Sequence, residues 1–139
     1  MAEADLRTNV ITLLSTTTIS DMTVDTAHTL YTVPTGYSLM LDHCKMVATA
    51  TGISAFRFTI GRSTALTDFS IGITASTGIV VPTNLAAVND FINLRPTILT
   101  AATPPKQKAY AAGAIIQLDV TTVNASASGC IIYLYGILF

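Results

Sequence analysis

The stretch Cys130-Ile131-Ile132-Tyr133-Leu134-Tyr135-Gly136-Ile137-Leu138-Phe139 carries no charge and is β-branched, aromatic or aliphatic almost without interruption. The end of a soluble monomer ordinarily frays into polar residues, so a terminus of this kind needs cover. Read with the two-residue period of a strand, Ile132, Leu134 and Leu138 fall on one face, and Ile131, Tyr133, Tyr135, Ile137 and Phe139 on the other. Both faces are apolar. An antiparallel edge strand of a monomer alternates apolar with polar, so this strand is either central in a two-layer stack or packed outward on another subunit. The rest of the chain is read around it.

The 139 residues make one domain, long enough to withdraw roughly 70% of the unfolded-chain surface from water. Charged residues are 11% and hydrophobic residues 50% of the chain, against about 25% charged in an average globular protein. Its surface is therefore built from Thr, Ser, Asn and Ala, or is covered by partners. Seven basic and eight acidic residues give a net charge of -1, which supplies no pull toward nucleic acid or an anionic membrane. Neither is expected as a partner.

Cys44 and Cys130 lie far apart with no C-x-x-C spacing, so both read as buried, unpaired thiols acting as small hydrophobes. Met1-Ala2-Glu3-Ala4-Asp5-Leu6-Arg7 is acidic where a secretory signal needs a basic region and then an apolar run. No export is expected. The apolar C-terminal run after Ala125-Ser126-Ala127-Ser128-Gly129 superficially resembles a lipid-anchor signal, but it is short and lacks a polar spacer. It is also too short to span a bilayer as a helix.

In chain order, residues 1–9 read as a polar arm ahead of a single β-sandwich domain over 10–139. A strand is expected at Val10 to Leu14, an extended Thr/Ser-rich segment from Thr16 to Asp25, and a strand from His28 to Val33. Pro34-Thr35-Gly36 is a turn, because proline presets φ and glycine supplies a positive one. Tyr37 to Ala50 places Leu39, Leu41 and Val47 on one face and Met40, Cys44, Met46 and Ala48 on the other, with Asp42 the polar exception. Ser54 to Ile60 puts Phe56, Phe58 and Ile60 inward with Arg57 and Thr59 outward, and Gly61-Arg62-Ser63-Thr64 turns.

Asp68 to Thr74 and Gly78 to Val81 are two further short strands. Asn84, as an N-cap before Leu85, Val88, Phe91 and Ile92, permits one or two turns of helix ending before Pro96. Thr103-Pro104-Pro105-Lys106-Gln107-Lys108 is a stiff exposed loop. Ala114 to Val123 puts Ile116, Leu118 and Val120 inward with Gln117, Asp119 and Thr121 outward, and Asn124 to Gly129 turns into the closing strand. About eight strands at intervals of roughly ten residues, with no βαβ alternation and at most one short helix, indicate an all-β antiparallel two-sheet sandwich of jelly-roll type.

The chemistry is sparse. Asp42-His43-Cys44 is the one local cluster of reactive groups, yet on a regular strand His43 faces away from both neighbours and can orient neither. The three read as structural. His28 beside Asp25 reads as a turn hydrogen bond. No two carboxylates share a strand face at a spacing suited to acid/base work, although Asp42 and Asp119 could meet across the fold. No dinucleotide, phosphate-loop or zinc-protease pattern occurs, so no catalytic, cofactor-binding or metal-ligating residue is assigned. Asn124-Ala125-Ser126 matches a glycosylation acceptor, a pattern that recurs by chance. An enzyme is not expected.

Low charge and strands apolar on both faces are what sheets stacked on other subunits look like, since obligate interfaces resemble a core cut in half. Tyr133 and Tyr135 on one face carry hydroxyls that tolerate a partly wet seam. The competing arrangement turns these tyrosines inward, with Ile132 and Leu134 packed beneath an outer loop or helix.

The segment Tyr133-Leu134-Tyr135-Gly136-Ile137-Leu138-Phe139 resembles the last strand of tumour-necrosis-factor-like jelly rolls, which trimerise through an aromatic-lined sheet. More broadly, three features resemble the jelly-roll decoration, or cement, proteins of tailed bacteriophages. They are the opening hairpin Leu30-Tyr31-Thr32-Val33-Pro34-Thr35-Gly36, the segment from Asn84 to Pro96, and the small-residue turn into a final Leu-Tyr-Gly strand. The resemblance implies a non-catalytic virion protein, without cofactor, bound to the outside of a shell of major capsid protein. It implies a homo-oligomer, trimer ahead of dimer, assembled in the host cytoplasm. On that reading Tyr133, Tyr135, Ile137 and Phe139 form the self-association seam. Capsid contacts fall to Asp5, Leu6 and Arg7 of the arm and to Pro104, Pro105, Lys106 and Lys108 of the loop. A receptor- or glycan-binding fibre or tail module on the same fold is the alternative, weakened by the absence of Trp.

Overall fold

A computed structural model describes residues 10–22, 26–50, 57–65, 69, 85, 87–95, 109–122 and 128–139. The expected arm over 1–9, most of the segment 66–84 with its two short strands, and the 103–108 loop lie outside the described residues. Among the described residues eight strands are seen: β1 (Thr12–Asp21), β2 (Ala27–Thr32), β3 (Leu39–Ala48), β4 (Arg57–Arg62), β5 (Phe91–Leu94), β6 (Ala109–Tyr110), β7 (Ile115–Thr122) and β8 (Ser128–Leu138).

All pairings are antiparallel, in two sheets. The larger has the order β1-β8-β3-β5, with β6 also on β3, and the smaller β2-β7-β4. First and last strands are neighbours, and the chain crosses repeatedly from one sheet to the other. This is the wrapping of a jelly roll, and its folding physics is that of two apolar faces closing on each other. The closing strand, apolar on both sides, is central: β8 pairs with β1 through Thr12 to Asp21 and with β3 through Leu39 to Ala48.

The core fills the space between the sheets. Leu39, Leu41, Cys44 and Met46 of β3 and Cys130, Ile132 and Leu134 of β8 meet Phe58 and Ile60 of β4 and Ile116, Leu118 and Val120 of β7, all buried. Phe69 closes part of the core, its amide donating to the Ile60 carbonyl at 3.0 Å. The inward set expected for 114–123 and for Phe58 and Ile60 is the observed one. Thr59 lies on the outer side of its sheet, as its place in the alternation requires, but is buried.

Two turns follow from local chemistry. The Tyr37 amide donates to the Pro34 carbonyl at 3.2 Å, and Gly36 takes the positive φ of 85° that the turn needs. The helix expected after Asn84 is not what residues 87–94 form. A turn closes from the Asp90 amide to the Ala87 carbonyl at 3.1 Å, the Asp90 carboxylate accepts from the Ala87 amide at 2.8 Å, and Asn89 sits at φ 72°. Asparagine tolerates that left-handed conformation, which ends any helix. Phe91–Leu94 then pairs with β3 as β5.

The face assignment of β3 also changes. Leu39, Leu41, Cys44, Met46 and Ala48 are all buried, while Met40, His43, Lys45 and Val47 are partly exposed. One extra residue bulges between Leu41 and His43, which moves every later side chain to the opposite face from simple alternation. Val47 therefore points outward and Leu39 and Leu41 inward, not together as expected.

Candidate functional site

Because directly paired residues on adjacent strands share a face, the pairings define the outer surface of the larger sheet. From β8 it takes Ile131, Tyr133, Tyr135 and Ile137. From β3 it takes Val47, Lys45, His43 and Met40 beside them, from β1 Thr18, Thr16 and Leu13, and from β5 Phe91 and Asn93. Phe139 continues the β8 set, its backbone paired with Ser38 at 2.8 and 3.0 Å. Leu13, Phe91 and Phe139 are 47%, 53% and 52% exposed, and the two tyrosines are half-buried. The arrangement that turns the tyrosines into the core is excluded: Cys130, Ile132 and Leu134 occupy it.

Thr16, Thr18 and Asn93 are exposed on this face, and its ionisable side chains make contacts within the chain. The bulge that displaces Asp42 also swings its carboxylate alongside His43, and the imidazole Nδ1–H donates to Oδ2 at 2.6 Å. An ionised carboxylate only accepts, so Nδ1 carries the proton. The expectation that His43 faces away from Asp42 fails for this reason, because alternation breaks at a bulge. The ring lies flat on Tyr135, with centroids 4.3 Å apart and planes 10° from parallel. Lys45 Nζ stands 4.4 Å over the Phe91 ring, a cation–π contact.

Carboxylate and imidazole together are two parts of a nucleophilic triad, and among the described residues the adjacent cysteine does not supply the third. Cys44 projects to the other side of the sheet, fully buried, and burial followed by the like charge of Cys130 pushes its thiol well above the ordinary range. A thiol so placed is no nucleophile. Asp119 lies on the outer side of the smaller sheet, opposite Thr59 and Ala27, so it and Asp42 are on opposite outer faces of the sandwich. Among the described residues no three His, Cys, Asp or Glu side chains cluster as metal ligands.

The smaller sheet offers a different outer surface, with Thr29, Gln117 and Asp119 on it and Gln117 Nε2 donating to Thr29 Oγ1 at 3.3 Å. Among the described residues this face is mixed, with Ile115 exposed and Thr59 buried beside those polar groups, whereas the outer face of the larger sheet is mostly apolar. Of the residues expected to associate, Tyr133, Tyr135, Ile137 and Phe139 lie together on the apolar face. Asp5, Leu6, Arg7, Pro104, Pro105, Lys106 and Lys108 lie outside the described residues. Sequence reasoning named Asp42 and His43 but read them as structural and facing apart, and it did not place Lys45 and Phe91 on this face. Its available signal was the parity jump of apolar residues from 39 and 41 to 44, 46 and 48.

No protein-family model and no curated protein sequence matches the chain. Among solved structures, it is similar to a chain of the cyanophage Pam1 capsid asymmetric unit, at TM-score 0.50 and 12% identity, over 93% of this chain and 86% of that one. It is also similar to a chain of the acidic stable capsid structure of Helicobacter pylori bacteriophage KHP30, at TM-score 0.49 and 12% identity, over 94% and 91% of the two chains. At this identity the first of these likenesses establishes a shared fold.

Proposed function

We propose that this chain is a non-catalytic structural protein of a phage virion, one that binds the outer surface of the capsid lattice and stabilises it. The observation that carries the reading is the partly exposed, mostly apolar outer face of the larger sheet, centred on β8 and flanked by exposed Leu13, Phe91 and Phe139. A fold shared with a chain of a phage capsid supports placing that face in a virion. Copies join through Tyr133, Tyr135, Ile137 and Phe139 as a homo-oligomer, trimer ahead of dimer. The arm with Asp5, Leu6 and Arg7 and the loop with Pro104, Pro105, Lys106 and Lys108 reach the major capsid protein. Assembly takes place in the host cytoplasm, with neither nucleic acid nor membrane as a partner.

The mechanism is additive. Each bound oligomer bridges capsid subunits, so the shell cannot expand or rupture without also breaking those contacts. Apolar area is worth about 25 cal/mol per Å², discounted for ordering, and lattice multiplicity compounds it. Incubating the protein with expanded empty capsids, and separately with host cells, tests the reading. Saturable capsid binding that raises the temperature of capsid rupture is expected. Binding to cells alone would overturn it in favour of a receptor- or glycan-binding module.

A further inference from the structure

The centre of the apolar face holds a polar device that a merely greasy seam does not need. Asp42 and His43 are 28% and 25% exposed, on a bulge that brings two consecutive side chains to one side of the sheet. The Asp42 carboxylate fixes the proton on Nδ1, and Tyr135 holds the ring flat at 4.3 Å. The remaining ring nitrogen, Nε2, is an acceptor in the neutral imidazole. We infer that Asp42, His43 and Tyr135 form the polar anchor of self-association, with His43 Nε2 accepting a hydrogen bond from a tyrosine hydroxyl of a second copy of this chain. The inference rests on the self-association reading above and adds the group that fixes its register.

Two features favour a second copy as the occupant. The outward-facing residues of these strands carry one carboxylate, Asp42, and one ammonium, Lys45, each already engaged within the chain, so on them apposed copies meet without a surplus of like charge. The face supplies both sides of the bond, with an acceptor at His43 and hydroxyl donors at Tyr133 and Tyr135. Its extent is that of a weak interface: eleven residues of β8 by four strands span roughly 35 by 15 Å, about 1,000 Å² for two copies, the least a biological contact needs and short of the roughly 1,200 Å² at which stable ones begin. Asp42 acts as a positioning residue, through His43.

Sedimentation equilibrium on the wild type, H43A, D42N and Y133F, with imidazole ¹⁵N spectra of the wild type in dilute and associated states, tests this. H43A and D42N should each weaken association by about tenfold, the loss of one directed hydrogen bond to a buried partner, with the dissociated protomer melting as in the wild type. The His43 spectrum should show Nδ1 protonated in both states and an Nε2 resonance that moves on association. A wild type that associates while H43A and D42N match it within twofold, or whose Nε2 resonance is unmoved, overturns the anchor and leaves self-association standing. A wild type that stays monomeric at every concentration overturns the self-association reading and the anchor with it.

Discussion

Gly136 pairs with Leu41 at the edge of the β3 bulge, and the β1 bulge between Leu13 and Ser15 begins one residue away, opposite Tyr135. A Cβ there would stand 2.7 Å from the Met40 carbonyl oxygen, 2.9 Å from Leu39 Cδ1 and 3.0 Å from Leu14 Cδ1. Backbone cannot step aside as a side chain can, so Gly136→Ala should destabilise by about 1–3 kcal/mol, read as a lower urea midpoint. The cysteines act in the opposite sense, by being shut away. Burial pushes the Cys130 thiol from 9.0 up to about 12. Between those values the unfolded chain loses a proton that the folded chain keeps, so stability is full below about pH 9 and declines as pH rises toward 12. Chemical unfolding at pH 8 and pH 10.5 should show that decline in the wild type and less of it in Cys130→Ala. That both thiols would be buried was legible from their isolation and apolar company. The meeting of Asp42 with His43 was not, because residue-by-residue alternation carries no term for an inserted residue.

At the scale of the element, β8 has two apolar faces with different duties. Ile132 is fully buried between sheets, whereas Ile131 is only partly covered. Ile132→Ala should cost about 2–5 kcal/mol through lost burial and the cavity left behind. Ile131→Thr and Tyr133→Ala should change protomer stability by less than about 1 kcal/mol while weakening association, so melting curves and native mass should separate the two faces. The parity of β8 was readable because no bulge interrupts it and its buried inward side chains, Cys130, Ile132 and Leu134, are apolar. β5 was unreadable for a converse reason: Leu85, Val88 and Ile92 fall at helical spacing, but Asn89 takes a left-handed backbone and Phe91–Leu94 finds a ladder on β3. Tertiary pairing outweighed a short local pattern.

For the whole molecule, turn spacing conveyed the all-β class and the two-sheet sandwich, while β5 and β6 were not expected as strands and the strands expected at 68–74 and 78–81 lie almost wholly outside the described residues. Strand order was not conveyed, since pairing across more than a hundred residues, as between Ile19 and Cys130, leaves no local trace. Nor was the contrast between the outer faces, which depends on the β3 bulge turning Lys45 and Val47 outward. The central proposal rests on that contrast: association would cover the outer surface of the larger sheet and leave Ile115 on the smaller sheet open. Hydroxyl-radical footprinting of the assembled protein reads it directly. Tyr133, Tyr135 and Phe139 should be protected on assembly, while Ile115 on the smaller sheet, 36% exposed, continues to react as in the protomer. Undiminished oxidation of Tyr133, Tyr135 and Phe139 in the assembled state would contradict the account.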